Sequence, residues 1–314
     1  MMKRILAATL SLVLILIFGC GVQPPPKEQK LSKLTIGLMP DTDSIPFIIA
    51  AEHGYFAEEG VEVELIPFKS AMERDAALQS GNLDGAVSDL LAVIFARSGG
   101  FSVHATSYTD GSYNLVAAEN SGIRFAADLR GKEIAISRNT IIEYVTDEIL
   151  AVNNMEEQNV SKVVIPQIPV RLEMLQSGNL TAAVLPEPMA SVATVSGCRN
   201  IIGSSDLEIN PGVIVFADSV IRDKELSVRA MYRAYDKAVE YLNNTPRTDY
   251  IDLVMEKSGF PAPARDALEL KPYRPAGLPT QKDVLEAVHW VKSKNLAGDY
   301  RYDDLVSPLL SEGK

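Results

Sequence analysis

Two carboxylates stand where predicted strands end. Asp89 directly follows the apolar stretch Gly85–Ser88, and Glu187 follows the run Ala182–Leu185 and one proline. A carboxylate at a strand end can accept hydrogen bonds from an amino-bearing or cationic ligand. The sequence therefore predicts that Asp89 and Glu187 face each other across a ligand-binding cleft, the alternative being two surface charges on an acidic chain.

Further polar side chains follow other predicted strand ends. Arg138 could bind a sulfonate or a carboxylate with two hydrogen bonds. Ser44 and Thr140 begin predicted helices, where free backbone N–H groups favour an anionic ligand group, although each could simply cap its helix. The complete set of candidate ligand-binding residues is Thr42, Asp43, Ser44, Ser88, Asp89, Tyr108, Arg138, Asn139, Thr140 and Glu187.

Catalytic chemistry has little support in the sequence. The three histidines, His53, His104 and His289, show no metal-ligand spacing, and there is no cysteine cluster. Cys198 lies in a loop-like stretch, where a small, partly buried residue is more common than a nucleophile. We therefore expect a protein with no catalytic residue, no bound metal and no cofactor.

A short repeat organises the elements that must position these side chains. The hexapeptide LQSGNL occurs at Leu78–Leu83 and again at Leu175–Leu180. Each copy lies in a pattern of strand, helix, tight turn and strand, with Gly81 and Gly178 where left-handed helix caps would sit. Such units form parallel sheets with right-handed crossovers, so the repeat predicts an α/β chain with two similar lobes.

The N-terminal residues are typical of an exported lipoprotein. Residues 1–19 contain Lys3 and Arg4 and then an apolar core too short for a membrane span, which predicts a signal peptide. Ile17–Cys20 resembles the box in which cleavage precedes an acylated Cys20. Residues 20–32 hold three consecutive prolines and predict a flexible tether. The formal net charge of −11 argues against a nucleic-acid partner.

The predicted lobes divide the chain unequally. Residues 33–119 and 216–314 form lobe 1, residues 120–215 form lobe 2, and the crossings lie near 117–119 and 215–217. Helical patterns at 227–243, 250–258 and 280–294 are assigned to lobe 1.

Four stretches resemble one known family. GYFAEEGVEVEL, ALQSGNLDGAVSD, ADLRGKEIAIS and AVLPEPMAS resemble, in order and spacing, the nitrate, sulfonate, taurine and thiamine-precursor binding proteins of ABC importers. The resemblance covers about Leu34–Leu310. It implies a type II periplasmic-binding-protein fold, in which two α/β lobes joined by two hinge crossings hold a small solute for permease and ATPase partners.

The resemblance leaves the ligand open. The carboxylates, together with an aromatic surface such as Tyr108, Tyr113 or Tyr144, favour an amino-heteroaromatic such as a thiamine pyrimidine precursor. The first alternative is an alkanesulfonate or taurine, and the others are a pyrimidine-forming enzyme of the same fold or a ligand sensor. We expect an exported monomer that is anchored by lipid, in the periplasm or at the outer face of the cell membrane.

Overall fold

The computed structural model describes residues 31–311. The predicted signal peptide, the lipidation site Cys20 and the tether up to Lys30 lie outside the described residues. Leu31 packs against the hydrophobic core, and the Ser32 amide donates a hydrogen bond to the Ser227 hydroxyl at 2.9 Å. The packed structure therefore begins at least two residues before the predicted start of lobe 1.

Strands and helices are interspersed up to residue 217, and residues 218–311 form helices and connecting segments. The strands are β1 Leu34–Leu38, β2 Val63–Pro67, β3 Gly85–Asp89, β4 Val103–Tyr108, β5 Tyr113–Ala117, β6 Glu133–Ile136, β7 Ser161–Val164, β8 Ala182–Pro186, β9 Arg199–Gly203 and β10 Gly212–Ala217. The α-helices are α1 Ile45–Glu52, α2 Tyr55–Glu58, α3 Ala71–Gln79, α4 Leu90–Ser98, α5 Ile141–Val152, α6 Ile168–Gln176, α7 Met189–Val195, α8 Asp218–Asp223, α9 Glu225–Asn244, α10 Ile251–Ser258, α11 Ala264–Ala267, α12 Gln281–Ser293 and α13 Tyr302–Leu305.

Two five-stranded sheets define the two lobes, in agreement with the predicted fold class. The first sheet has the order β2-β1-β3-β10-β4 and the second the order β7-β6-β8-β5-β9. In the first sheet β10 runs antiparallel to both its neighbours, and in the second sheet β5 does the same. Each sheet is therefore mainly parallel, with one antiparallel strand beside the edge strand.

The antiparallel strands are the ones that arrive from the other lobe. The chain leaves the first sheet after β4, crosses through residues 109–112, and returns to the first sheet through residues 204–211. A strand that enters a sheet from the cleft must run away from the carboxyl ends of the parallel strands, which makes it antiparallel. The expectation that residues 113–117 belong to lobe 1 and 212–215 to lobe 2 is therefore wrong, because both crossings lie several residues earlier than predicted.

The predicted repeat is present in three dimensions. Helices α3 and α6 both end in the shared hexapeptide, with Gly81 at φ 77° and Gly178 at φ 73°. After each helix an asparagine amide donates to the serine two residues earlier, at 3.0 Å in the first copy and 2.9 Å in the second. The two copies therefore use the same turn to begin β3 and β8.

The C-terminal helices mostly complete the first lobe, as expected. Helix α9 packs on α1 and α2, α10 on α1, and α12 on α4, whereas the short α11 contacts α7 of the second lobe. Two apolar clusters each draw residues from both lobes, and Cys198 is buried in one of them. Across residues 31–311, every helix is too short or too polar to cross a membrane.

Candidate functional site

The carboxyl ends of β1, β3, β6 and β8 meet at a cavity between the lobes, which we call the interlobe cavity. It has a volume of about 30 Å³ in this closed arrangement, room for about two water molecules. An organic solute can therefore enter only when the lobes separate. The polar residues that line it are Asp41, Arg74, Ser88, Asp89, Tyr113, Ser137, Thr140 and Arg171.

Arg171 is a buried cation on the second-lobe wall. Helix α6 holds it fully buried, where Nε donates to the Val184 carbonyl at 2.9 Å and Nη1 donates to the Ile165 carbonyl at 2.7 Å. Nη2 has no hydrogen-bond partner, and no carboxylate among residues 31–311 forms an ion pair with this guanidinium. Burial lowers the pKa of Arg171 to about 10, so the side chain stays charged at neutral pH. A buried cation of this kind favours an anionic ligand.

Helix α5 points its N-terminus at the same cavity. Thr140 is its N-cap, and the threonine hydroxyl accepts from the Ile142 amide at 3.2 Å while it donates to the Ser137 carbonyl at 2.8 Å. The predicted cap is therefore confirmed. The positive end of this helix adds to the charge of Arg171 on the same wall.

Arg74 occupies the matching position on the first-lobe wall. In the register of the repeat Arg74 pairs with Arg171, and it donates to the Val87 carbonyl at 3.3 Å, which is the counterpart of Val184. Arg74 also binds Asp75 at 2.8 Å and lies 3.7 Å from Asp89. The repeat replaces these two acids with Leu172 and Pro186 in the second lobe, which is why Arg171 has no counter-ion.

Both arginines were missed by the sequence analysis. Each lies four residues before the shared hexapeptide, so an extension of the repeat alignment towards the N-terminus would have found them.

The first-lobe wall also carries two buried carboxylates. Burial raises the pKa of Asp41 well above its usual range, and the neighbouring Asp43 raises it further. Burial also raises the pKa of Asp89, although Arg74 opposes the shift. Asp89 caps α4 by accepting from the Ala92 amide at 2.8 Å, and the hydroxyl of Ser88 is buried without a partner in the described structure.

Glu187 lies in a different cavity from Asp89, so the two carboxylates do not face each other across one site. Glu187 follows Pro186, the true counterpart of Asp89, and a step of one residue along an extended chain turns the side chain to the opposite face. It accepts hydrogen bonds from the Asn114 side chain at 2.9 Å and from the Ser191 amide at 3.2 Å. Burial raises the pKa of Glu187, and the bond from Ser191 opposes that shift.

That second space, the hinge-side cavity, has a volume of about 340 Å³ and lies beside the two crossings. Its lining includes Thr42, Ser112, Asn114, Glu187, Lys271 and Tyr273. It contains the predicted candidates Thr42 and Glu187.

Two candidates are structural parts of the β1–α1 turn. The Ser44 hydroxyl donates to the Met39 carbonyl at 2.8 Å and does not cap α1, so the predicted cap is wrong. The buried Asp43 accepts from the Tyr113 hydroxyl at 3.0 Å. The Ser44 hydroxyl thus bonds to the backbone just after β1, and its side chain does not cap the N-terminus of α1.

The remaining candidates lie away from both cavities. The Tyr108 hydroxyl donates to the Pro275 carbonyl at 2.7 Å, and the Arg274 guanidinium covers the ring at 3.9 Å. Arg138 and Asn139 are exposed, and Arg138 borders an outer depression of the second lobe. Neither Tyr108 nor Arg138 lines the interlobe cavity.

One group of carboxylates has the spacing of a metal site. Ligand atoms of Glu143, Asp147 and Glu157 lie within 4.8 Å of one another. The ammonium groups of Lys162 and Lys294 sit between them, at 2.5 Å and 2.7 Å from Asp147. Between them the two lysines form ion pairs with all three carboxylates, so this group is an ion-pair cluster.

Comparison with known proteins identifies relatives over most of the chain. The family model described as NMT1/THI5 like matches residues 41–249. A putative aliphatic sulfonates-binding protein of Bacillus subtilis (strain 168) is 22% identical over 237 residues, which cover 72% of this chain and 70% of that protein.

Solved structures share the fold at lower identity. The alkanesulfonate-binding protein SsuA from Xanthomonas axonopodis pv. citri, bound to MOPS, has a TM-score of 0.75 and 17% identity, covering 88% of this chain and 97% of that one. The ligand-binding component of an ABC-type import system from Staphylococcus aureus, with zinc bound, has a TM-score of 0.78 and 16% identity, covering 90% and 99%. The desulfurization enzyme DSZB also matches, with a TM-score of 0.65 and 14% identity over 90% and 98%. At these identities the likeness establishes the fold.

Proposed function

The chain belongs to the NMT1/THI5-like family, and on that premise we propose that it is the solute-binding component of an ABC importer. The two-lobed fold with its cavity between the lobes supports this role, as do the names of the sulfonate-binding relative and of the ABC-type structural neighbour. The exported, lipid-anchored state expected from residues 1–20 would hold it beside a permease. Release of the full chain from membranes by detergent, and not by salt, would support that anchor.

We assign the interlobe cavity to a small anionic solute of the sulfonate class. The observation that carries this assignment is Arg171, which is buried at the cavity without a counter-ion. A guanidinium presents a fork of N–H donors that matches an oxyanion, and the N-terminus of α5 supplies further positive potential. The alkanesulfonate alternative is therefore favoured over the aminopyrimidine that we ranked first from the sequence.

The aminopyrimidine remains a second candidate because two buried carboxylates and Tyr113 line the same cavity.

Catalysis is disfavoured because His53, His104, His289 and Cys198 are all absent from the lining of this cavity. We propose that the protein binds its ligand without transforming it.

Calorimetric titration of the purified protein with short alkanesulfonates and an aminopyrimidine tests the assignment. We expect a sulfonate to bind and to raise the melting temperature, because it binds the folded state. Arg171→Met should weaken that binding at least about a hundredfold, since it removes one partner of a desolvated charged pair. The unliganded variant should melt no lower than the wild type, because the change also removes a buried unpaired charge.

Arg138→Met is the matched control, because it removes an exposed arginine outside the cavity. It should bind the sulfonate within about threefold of the wild type. Sulfonate binding that survives in Arg171→Met, or that is lost equally in both variants, would reject Arg171 as the ligand contact.

A further inference from the structure

The N-terminus of α5 binds a carboxylate from the other lobe. The N-cap hydroxyl of Thr140 accepts from the second amide of the helix, that of Ile142, so the first amide, that of Ile141, is left for an acceptor outside the helix. Asp89, at the end of β3 in the first lobe, accepts a hydrogen bond from this first amide. Asp89 and Ile141 both line the interlobe cavity. An acidic side chain of one lobe therefore lies at a helix N-terminus of the other lobe, on the wall of the ligand cavity.

Helix α6 of the second lobe is bound in a similar way. It has no side-chain cap, and its first amide, that of Ile168, donates to the Lys69 carbonyl of the first lobe at 3.0 Å. The Gln167 side chain beside it donates to Glu73 at 3.3 Å. These bonds join the lobes and so add to the stability of the closed arrangement. Asp89 differs from Lys69 because it offers an acidic side chain where Lys69 offers a neutral backbone carbonyl.

The first lobe holds Asp89 in position for this contact. Its carboxylate caps α4 by accepting from the Ala92 amide at 2.8 Å, and it lies 3.7 Å from the guanidinium of Arg74. One carboxylate thus bridges the N-termini of α4 and α5, and both helix dipoles favour its negative charge.

We propose, on the basis of the function proposed above, that Asp89 competes with the anionic solute for the amide of Ile141. Arg171 and the N-terminus of α5 favour an oxyanion on the second-lobe wall, and Asp89 is an oxyanion that the chain itself supplies. The solute displaces this carboxylate, which then keeps its bond to Ala92 and its ion pair with Arg74. The contact stabilises a closed form that does not hold the solute, and it therefore lowers the apparent affinity.

Asp89→Asn tests the competition. The variant keeps an acceptor for the Ala92 amide but loses the negative charge, so its bond to Ile141 is weaker. We expect ethanesulfonate to bind about tenfold more tightly than to the wild type in a calorimetric titration. Without sulfonate, the variant should also show a larger radius of gyration in small-angle scattering, because a bond between the lobes is weakened.

Asp75→Asn is the matched control for the effect on Arg74. It removes the nearer carboxylate partner of this guanidinium, at 2.8 Å, and leaves the contact between Asp89 and Ile141 in place. It should bind ethanesulfonate within about threefold of the wild type.

Ile141→Pro removes the donor for which the two groups compete. Proline is tolerated at the first position of a helix, and Thr140 already has the extended backbone, φ −131° and ψ 173°, that the residue before proline prefers. Ile141→Ala is its control, because it shortens the same side chain and keeps the amide. In the Ile141→Pro background Asp89→Asn should change the affinity for ethanesulfonate less than about twofold, whereas in Ile141→Ala it should still tighten binding about tenfold.

The outcomes separate the competition from the sulfonate assignment. Unchanged or weaker binding in Asp89→Asn, an equal gain in Asp75→Asn, or a gain that persists in the Ile141→Pro background would overturn the competition and leave the sulfonate assignment intact. An unchanged radius of gyration in both Asp89→Asn and Ile141→Pro would overturn it too. Failure of ethanesulfonate and its short homologues to bind any of these proteins would reject the sulfonate assignment, and the competition with it.

Discussion

The two arginines of the repeat show how one structural position can serve two purposes. Arg74 and Arg171 occupy equivalent places and donate to equivalent carbonyls. Arg74 has two acidic neighbours, so it contributes mainly to the first lobe's own structure. Beside Arg171, Leu172 and Pro186 stand at the positions that match these two acids. A ligand can supply the negative charge that is missing there. A difference of two side chains thus separates a cation with its own counter-ions from the cation that we propose as the ligand contact.

Asp43 is a buried carboxylate in the turn between β1 and α1. Burial raises its pKa to about 6, whereas an aspartate in the unfolded chain titrates near about 3.9. The native state therefore binds the proton more tightly, and this carboxylate lowers stability as pH rises from about 4 to about 6. The loss at neutral pH amounts to roughly 2–3 kcal/mol.

Asp43→Asn should remove that loss and keep an acceptor for the Tyr113 hydroxyl. We expect a melting temperature a few degrees higher at pH 7.5 and no gain at pH 4, measured by calorimetry. Asp303→Asn, at an exposed aspartate, controls for the change in net charge. A variant that is less stable at pH 7.5 would show that the charged form of Asp43 is favoured in the fold.

At the scale of elements, the repeat made much of the fold predictable. The helix–turn–strand unit around LQSGNL has the turn chemistry, the glycine positions and the apolar spacing that the structure shows. The sequence did not predict that β5 joins the second sheet and β10 the first. The alternation of apolar and polar residues along a strand indicates which face is buried, but it does not indicate which sheet the strand joins. The positions of the two crossings depend on that choice.

The same limit applies to the site. Three of the residues predicted from strand ends, Ser88, Asp89 and Thr140, line the interlobe cavity. Arg74 and Arg171 reach the cavity from helices, and in sequence they look like the polar positions of amphipathic helices. The sequence pattern placed Glu187 opposite Asp89, whereas the residue that matches Asp89 is Pro186. In an extended chain a shift of one residue puts the side chain on the opposite face.

The crossings themselves lead to the next prediction. Gly111 lies in the first crossing, and a Cβ added there would lie 2.3 Å from Oδ2 of Asp43. Gly111→Ala should therefore force the crossing away from the β1–α1 turn and lower the free energy of unfolding by about 1–3 kcal/mol. Chemical denaturation measures this loss.

Gly99→Ala is the matched control, because an added Cβ there meets its nearest atoms at 3.4 Å, an ordinary contact. It should change stability much less. In an Asp43→Ala background the Gly111→Ala substitution should cost little, because the clashing carboxylate is gone. An unchanged cost in that background would place the strain elsewhere.

At the scale of the whole molecule, the lobes touch at several points besides the crossings. The Thr42 amide donates to the Glu187 carbonyl at 3.0 Å, and the Ile168 amide donates to the Lys69 carbonyl at 3.0 Å. On another side, the Trp290 indole of α12 donates to Asp147 of α5 at 3.0 Å. Further polar contacts join the lobes, among them the bond from the Gln167 side-chain amide to Glu73 at 3.3 Å, and water can replace such contacts when the lobes separate.

The final prediction follows from the size of the interlobe cavity. A space of about 30 Å³ cannot admit an organic solute, so binding requires an open form and then closure around the ligand. Closure in such pairs is a rotation about a few hinge residues, which we place at 109–112 and 204–211.

Small-angle scattering should show a smaller radius of gyration with a bound sulfonate than without it. Arg171→Met should show no such compaction at the same ligand concentration, since it removes the contact that favours the closed form. An unchanged radius in the wild type, with binding proved by calorimetry, would mean that the ligand enters by a local opening and that the lobes do not rotate.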